Sequence, residues 1–165
     1  MQNLENKKRM ETWKVQSSDE KGFHKVITPD TCECQEAQMF RLNLPAGESY
    51  TLESKELELH PVLLAGKAKL SGHASLDQDM EKFDSCYIPG NDKLTITAKE
   101  DCIFYIAGAK YEGIGEPHFR KFDITLPIGD VHQIHGEGVG QREVMFTLAP
   151  QDSASKLICG LTWSG

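Results

Sequence analysis

No apolar run in the 165-residue chain approaches the roughly 20 residues of a helical membrane span. The opening MQNLENKKRMETW also lacks the apolar core of a secretory signal. A membrane partner is therefore not expected. Cysteine occurs five times, at Cys32, Cys34, Cys86, Cys102 and Cys159. An odd count at these spacings makes neither a disulfide framework nor a zinc site, so free thiols in a reducing cytoplasm are the expectation. Positive charge is in deficit, with 18 Lys and Arg against 25 Asp and Glu. Phosphate binding needs clustered cations. The one such cluster, Lys7-Lys8-Arg9, sits in a polar N-terminal arm, so no nucleic-acid partner is expected. A 3.6-residue apolar repeat sustained over three turns is missing as well, which argues against a helical fold. The GxG of residues 111–118, YEGIGEPH, has no following helix and no Lys-Ser, and so is no nucleotide loop. The acidic run Asp77-Gln78-Asp79 with Glu81 lacks the spacing and glycine of a calcium loop. No nucleophile elbow or Cys-His pair is evident.

What the sequence does contain is alternation. The stretch from Phe40 to Gly66, FRLNLPAGESYTLESKELELHPVLLAG, organises the chain. Phe40, Leu42 and Leu44 alternate with Arg41 and Asn43, the period of a half-buried strand. Pro45-Ala46-Gly47 breaks the run. Tyr50 and Leu52 alternate again, and Leu57 and Leu59 stand between Glu56, Glu58 and His60. Val62 to Ala65 reads as a strand buried on both faces, and Lys67 to Leu70 is expected to continue it past Gly66. Short strands are expected at Thr12–Val15 and Phe23–Ile27. Further strand character lies in Phe83–Ile88, Leu94–Ala98, Cys102–Ile106, 142–148 and 156–163, with turn signals between, including Pro89-Gly90-Asn91-Asp92. A double-sheet jelly roll fits this count: an all-β fold.

The organising stretch has the frame of a first cupin motif, with Gly47 and Gly66 where its two glycines belong. Counting inward, the ligand positions fall on Glu53, Lys55 and Leu59, and a second motif would add Leu94. Two leucines and a lysine cannot hold a divalent ion, which needs three or four N, O or S ligands. These positions imply either a barrel filled by side chains or a small pocket in which Lys55, beside Glu53, meets the carboxylate of a sugar acid. His132, His135 and Glu137 are the remaining metal candidates, in a glycine-rich loop.

Four segments, FRLNLPAGESYTLES, ELELHPVLLAGKAKL, FDSCYIPGNDKLTITA and REVMFTLAPQDSASKLICGLTWSG, resemble the family of two-cupin sugar-acid isomerases that includes 5-deoxy-glucuronate isomerase of inositol catabolism and 4-deoxy-5-ketouronate isomerase of pectin breakdown. In the last segment Arg142, Val144, Ala154, Ser155, Leu157, Gly160 and Thr162 match in order. The resemblance implies a polar arm at 1–12 and a cupin jelly roll at 13–109. A Gly/His-rich connector at 110–141 would follow, then the entry strands, 142–165, of a second cupin half otherwise absent. It implies no cofactor in this chain, because the divalent metal belongs to that second half. Two readings stand: part of an aldose-ketose isomerase acting on a sugar acid, or a stand-alone metal-free cupin that binds a ligand or forms an oligomer interface. A homo-oligomer is expected in either.

Overall fold

The computed structural model describes residue 11 and residues 14–164. The N-terminal arm, apart from Glu11, lies outside the described residues, and so do Thr12 and Trp13 of the first expected strand. In chain order the strands are β1 (Gly22–Ile27), β2 (Ala37–Leu44), β3 (Ser49–Glu53), β4 (Leu57–Ala65), β5 (Ala68–Ser71), β6 (Asp79–Met80) and β7 (Ser85–Tyr87). They continue as β8 (Lys93–Ala98), β9 (Cys102–Lys110), β10 (His118–Arg120), β11 (His132–His135), β12 (Arg142–Leu148) and β13 (Cys159–Ser164).

Six strands, in the order β1-β2-β9-β4-β7-β10, make one antiparallel sheet, and four, in the order β3-β8-β5-β6, make the sheet that faces it. Alternation decides which side chains meet between them. From the first sheet come Phe40, Leu42, Leu59, Leu63, Phe104 and Ile106; from the second come Leu52, Leu70, Leu94 and Ile96, all buried in one cluster. Burying each such side chain is worth about 1.5–3 kcal/mol, so this double layer is the main source of stability. It is the expected all-β jelly roll.

The chain departs from the expected course at Gly66. Lys67 to Leu70 does not extend β4. At Gly66 the backbone turns left-handed, with φ of 85°, and crosses from the first sheet to β5 of the second. Within the 110–141 connection, where alternation is confined to Phe119–Leu126, His118–Arg120 pairs with β7 and supplies the sixth strand of the first sheet. A third sheet, β11-β12-β13, packs beside the barrel, where the Ser85 hydroxyl of β7 donates to the Thr147 carbonyl of β12 at 3.3 Å. None of the described residues forms a helix long and apolar enough to cross a membrane.

The two frame glycines differ in what surrounds them. A Cβ on Gly66 would lie 2.2 Å from the Asp101 carbonyl oxygen, whereas one on Gly47, at φ of 82°, would meet nothing within 4 Å. Gly47→Ala is expected to lose only the left-handed penalty of about 1–2 kcal/mol. Gly66→Ala should lose about 3 kcal/mol, because backbone must move as well. Urea unfolding of both variants checks this; equal losses would show that the Asp101 contact yields freely.

Candidate functional site: the barrel interior and a buried polar clasp

The four frame positions do not converge. Leu59 and Leu94 are in the core, at 3% and 0% exposure. Glu53 closes β3 opposite Lys93 and is exposed, and Lys55 is exposed in the turn that follows, with φ of 50°. The buried residues here are Leu52 of β3 and Ser54 just beyond its end, one position out of step with the frame. The reason is the two-residue period: with Tyr50 and Leu52 facing in, Glu53 must face out. The donor set in the interior is thus leucine and phenylalanine, and it does not fit a divalent metal. Glu53 and Lys55 do share a place, on the lip of an open groove at the end of the barrel.

The second set of metal candidates is also dispersed. His132 and His135 stand at opposite parity on β11. The His132 ring has Nδ1 at 2.6 Å from the Leu126 carbonyl and Nε2 at 2.6 Å from Glu143. With an acceptor at each nitrogen the ring favours its cationic form. The Leu126 bond, and then Glu143, raise its pKa. His135 bonds Gln133, and Glu137 is exposed. Among the described residues no three His, Cys, Asp or Glu side chains gather as a metal site would require.

The polar residues that do gather lie on the outer face of the first sheet. In β4 the core takes Leu59 and Leu63, which turns Glu58 and His60 outward, yet both are 0% exposed. Residues 147–157 cover them. The Glu58 carboxylate accepts the Ser155, Lys156 and Leu157 backbone N–H groups at 2.7, 2.7 and 2.8 Å, and the Tyr87 hydroxyl at 2.7 Å. Burial, and then the bond to Glu58, push the Tyr87 phenol up, so it stays a donor. Four donors saturate this carboxylate. Beside it, His60 Nε2 meets the Thr147 hydroxyl at 3.0 Å, while among the described residues His60 Nδ1 and His118 Nε2 have no hydrogen-bond partner. Arg120 donates to Asp152 at 2.5 Å and to the Thr147 carbonyl at 3.2 Å, and Asp152 also accepts the Ala149 N–H at 2.6 Å.

This constellation binds segments together and carries out no acid-base chemistry. Glu58 has no free lone pair directed at a substrate. His60 is neutral, lowered to about 3 by burial and then by the neighbouring His118. Cys159, at the edge of an adjoining groove, has its thiol pushed up to about 11 by burial and by Glu58, so it is no nucleophile. None of these residues was expected from the sequence. The available signal was a carboxylate and a histidine two apart in a strand whose continuation reads as buried on both faces. An acid there has to find donors.

A family model described as KduI/IolB family matches residues 12–165. The chain belongs to the KduI/IolB family. An IolB-like protein from Salmonella typhimurium LT2 has a similar structure, with a TM-score of 0.69, 20% identity, and coverage of 90% of this chain and 58% of that one. An RmlC-like cupin from Methanocaldococcus jannaschii gives 0.49 at 16% identity, over 59% of this chain and 90% of that one. An oxalate decarboxylase from Bacillus subtilis gives 0.49 at 16%, over 60% and 28%. No curated protein matches. The Salmonella likeness speaks to the fold, and this KduI/IolB chain spans 58% of that protein's length.

Two expectations follow for the clasp. Glu58→Ala leaves three backbone donors and a phenol buried without an acceptor, at about 1–3 kcal/mol for each unsatisfied group before relaxation. A loss of at least 3 kcal/mol in urea unfolding is expected, together with faster amide exchange at residues 155–157. Unchanged protection there would contradict the assignment. The His60 pKa is depressed in the folded state relative to the unfolded one, so the unfolded chain binds the extra proton. Stability is full above pH 6.5 and falls as pH drops toward 3. His118, lowered chiefly by burial, acts in the same sense, and His132, raised, acts in the opposite one. His60→Asn isolates the first contribution: between pH 7 and 5 the parent should lose about 2 kcal/mol more than the variant.

Proposed function

We propose that this chain is the N-terminal cupin unit of a sugar-acid isomerase of carbohydrate catabolism, of the 5-deoxy-glucuronate or 4-deoxy-5-ketouronate type, with a role in inositol or uronate breakdown. The family match across residues 12–165 carries the reading. In an aldose-ketose isomerisation a base removes the proton from the carbon beside the carbonyl and returns one to the neighbouring carbon. The enediolate charge is held meanwhile by a metal or by hydrogen-bond donors, and the substrate's formula is unchanged. The residues described here contribute neither part. Glu58 is saturated, His60 is sealed and neutral, and Leu59 and Leu94 stand where ligands would. The unit's contribution is architectural: it presents β11, β12 and β13 as the platform on which a second, metal-bearing cupin is built. The outer edge of β13, with Ile158 exposed beside it, supports a homo-oligomer formed by strand pairing.

The full polypeptide encoded by the gene, supplied with Mn²⁺ or Zn²⁺ and followed by proton NMR in D₂O, is expected to isomerise one of the two uronates. The 165-residue chain alone is expected to be inactive and to retain no stoichiometric metal after dialysis. Failure of the full polypeptide on both substrates, or turnover by the 165-residue chain, overturns the reading. Light scattering at micromolar concentration should give a dimer or larger species; a monomer removes the oligomer.

A further inference from the structure

We infer that the open end of the barrel is a binding site for the ring of a neutral sugar, separate from any isomerase centre. The groove there has a volume of about 600 Å³, within the range of about 300–1,000 Å³ usual for small-molecule pockets. Its lining combines two chemistries. One wall is aromatic: Phe23 stacks on Phe40 at 5.1 Å and on Tyr50 at 5.5 Å, the latter pair within 2° of parallel, so that Tyr50 ends a row of three rings. The same groove is also lined by Gln38, Glu53, Lys55 and Glu56. Among the described residues none of the side chains of Glu53, Lys55 and Glu56 forms an ion pair, although exposed charges pair repeatedly elsewhere, as in Lys21–Glu48 at 2.5 Å and Lys99–Asp79 at 2.7 Å.

The lip is also held in place. Lys55 has φ of 50°, a left-handed conformation that costs a non-glycine residue free energy and that accumulates at functional sites. The turn is fixed by the Asn91 N–H donating to the Lys55 carbonyl at 2.6 Å and by the Asp92 N–H donating to the Ser54 hydroxyl at 2.9 Å. A pyranose matches this arrangement. Its C–H face is apolar and flat, suited to the Tyr50 end of the aromatic row. Its hydroxyl edge donates to carboxylates, and such charge-assisted bonds are stronger than neutral ones. Gln38 can both donate and accept, and Lys55 donates. Glu53 and Glu56 outnumber the single cation Lys55 in this lining, so a ligand carboxylate would meet a net negative charge, which favours a neutral sugar over a uronate.

Titration of the full chain with glucose, galactose, maltose and glucuronate, followed by ¹H–¹⁵N correlation spectra, tests the site. A neutral sugar is expected to shift the amides of residues 50–57 and to bind more tightly than glucuronate. Tyr50→Ala should weaken binding about tenfold or more while Tyr50→Phe stays close to the parent. Glu53→Gln, on an exposed side chain, provides a variant that keeps the core intact and should weaken binding severalfold. The site is refuted if no neutral sugar shifts this segment, if glucuronate binds as tightly, or if Glu53→Gln and a folded Tyr50→Ala bind unchanged. Isomerase turnover is read separately, so either conclusion can fail without the other.

Discussion

A single carboxylate governs how the outer layer meets the barrel. Glu58 lies in β4, near the middle of the first sheet, on the face turned away from the core, and is fully buried. A carboxylate without partners in such a place would be prohibitive. It is tolerated because three consecutive backbone N–H groups, Ser155 to Leu157, and one phenol point at it. The requirement is mutual. The 155–157 backbone belongs to no sheet and would otherwise bring unpaired donors into a dry contact. Charge and loop thus satisfy each other, and the outer face of β4 becomes an interior surface.

The barrel interior follows the opposite logic. Cupin frames can direct polar ligands into the lumen, but here the lumen is closed by Leu52, Leu59, Leu94 and their neighbours. Packing of this kind is strongly stabilising and chemically inert. Polar side chains are left at the margins instead, in the groove at the barrel end lined by β3 and the following turn.

The sandwich was legible in the sequence because alternation reports burial directly. Phe40, Leu42 and Leu44, and likewise Leu94, Ile96 and Ala98, fall on the buried faces their spacing predicts. The site positions were legible only in part, and the failure is instructive. Counting from Gly47 puts Glu53 and Lys55 inside, whereas the alternation of Tyr50 and Leu52 puts Glu53 outside. The two rules conflict by one residue, and the pleat prevails because a one-residue slip would exchange every side chain of β3 between core and solvent. The crossing at Gly66 was hidden because Ala68 and Leu70 continue strand-like alternation beyond it. The clasp was hidden for another reason: nothing local links Glu58 to Ser155. Separation along the chain, which costs loop-closure entropy, also keeps such a pairing out of any local pattern.

That long-range pairing has a consequence for how the layers come apart. Removing residues 147–157 from the sheet would release three backbone donors and expose a carboxylate, but it would also uncover His60 and free Asp152 from Arg120. Water would then solvate Glu58, which lowers the cost of opening. The three backbone bonds must break together, however, because adjacent amides in one segment move as a unit. Opening is therefore an all-or-none step for this segment, of the kind seen as a cooperative exchange unit. β12 and β13 are continuous in the chain with that segment and pair along most of their length. The third sheet is thus fastened to the barrel at both the Ser85–Thr147 contact and the Glu58 clasp. Two attachment points on one rigid pair of strands suppress hinge motion that a single flexible linker would allow. The orientation of β12 and β13 is then set by the barrel itself.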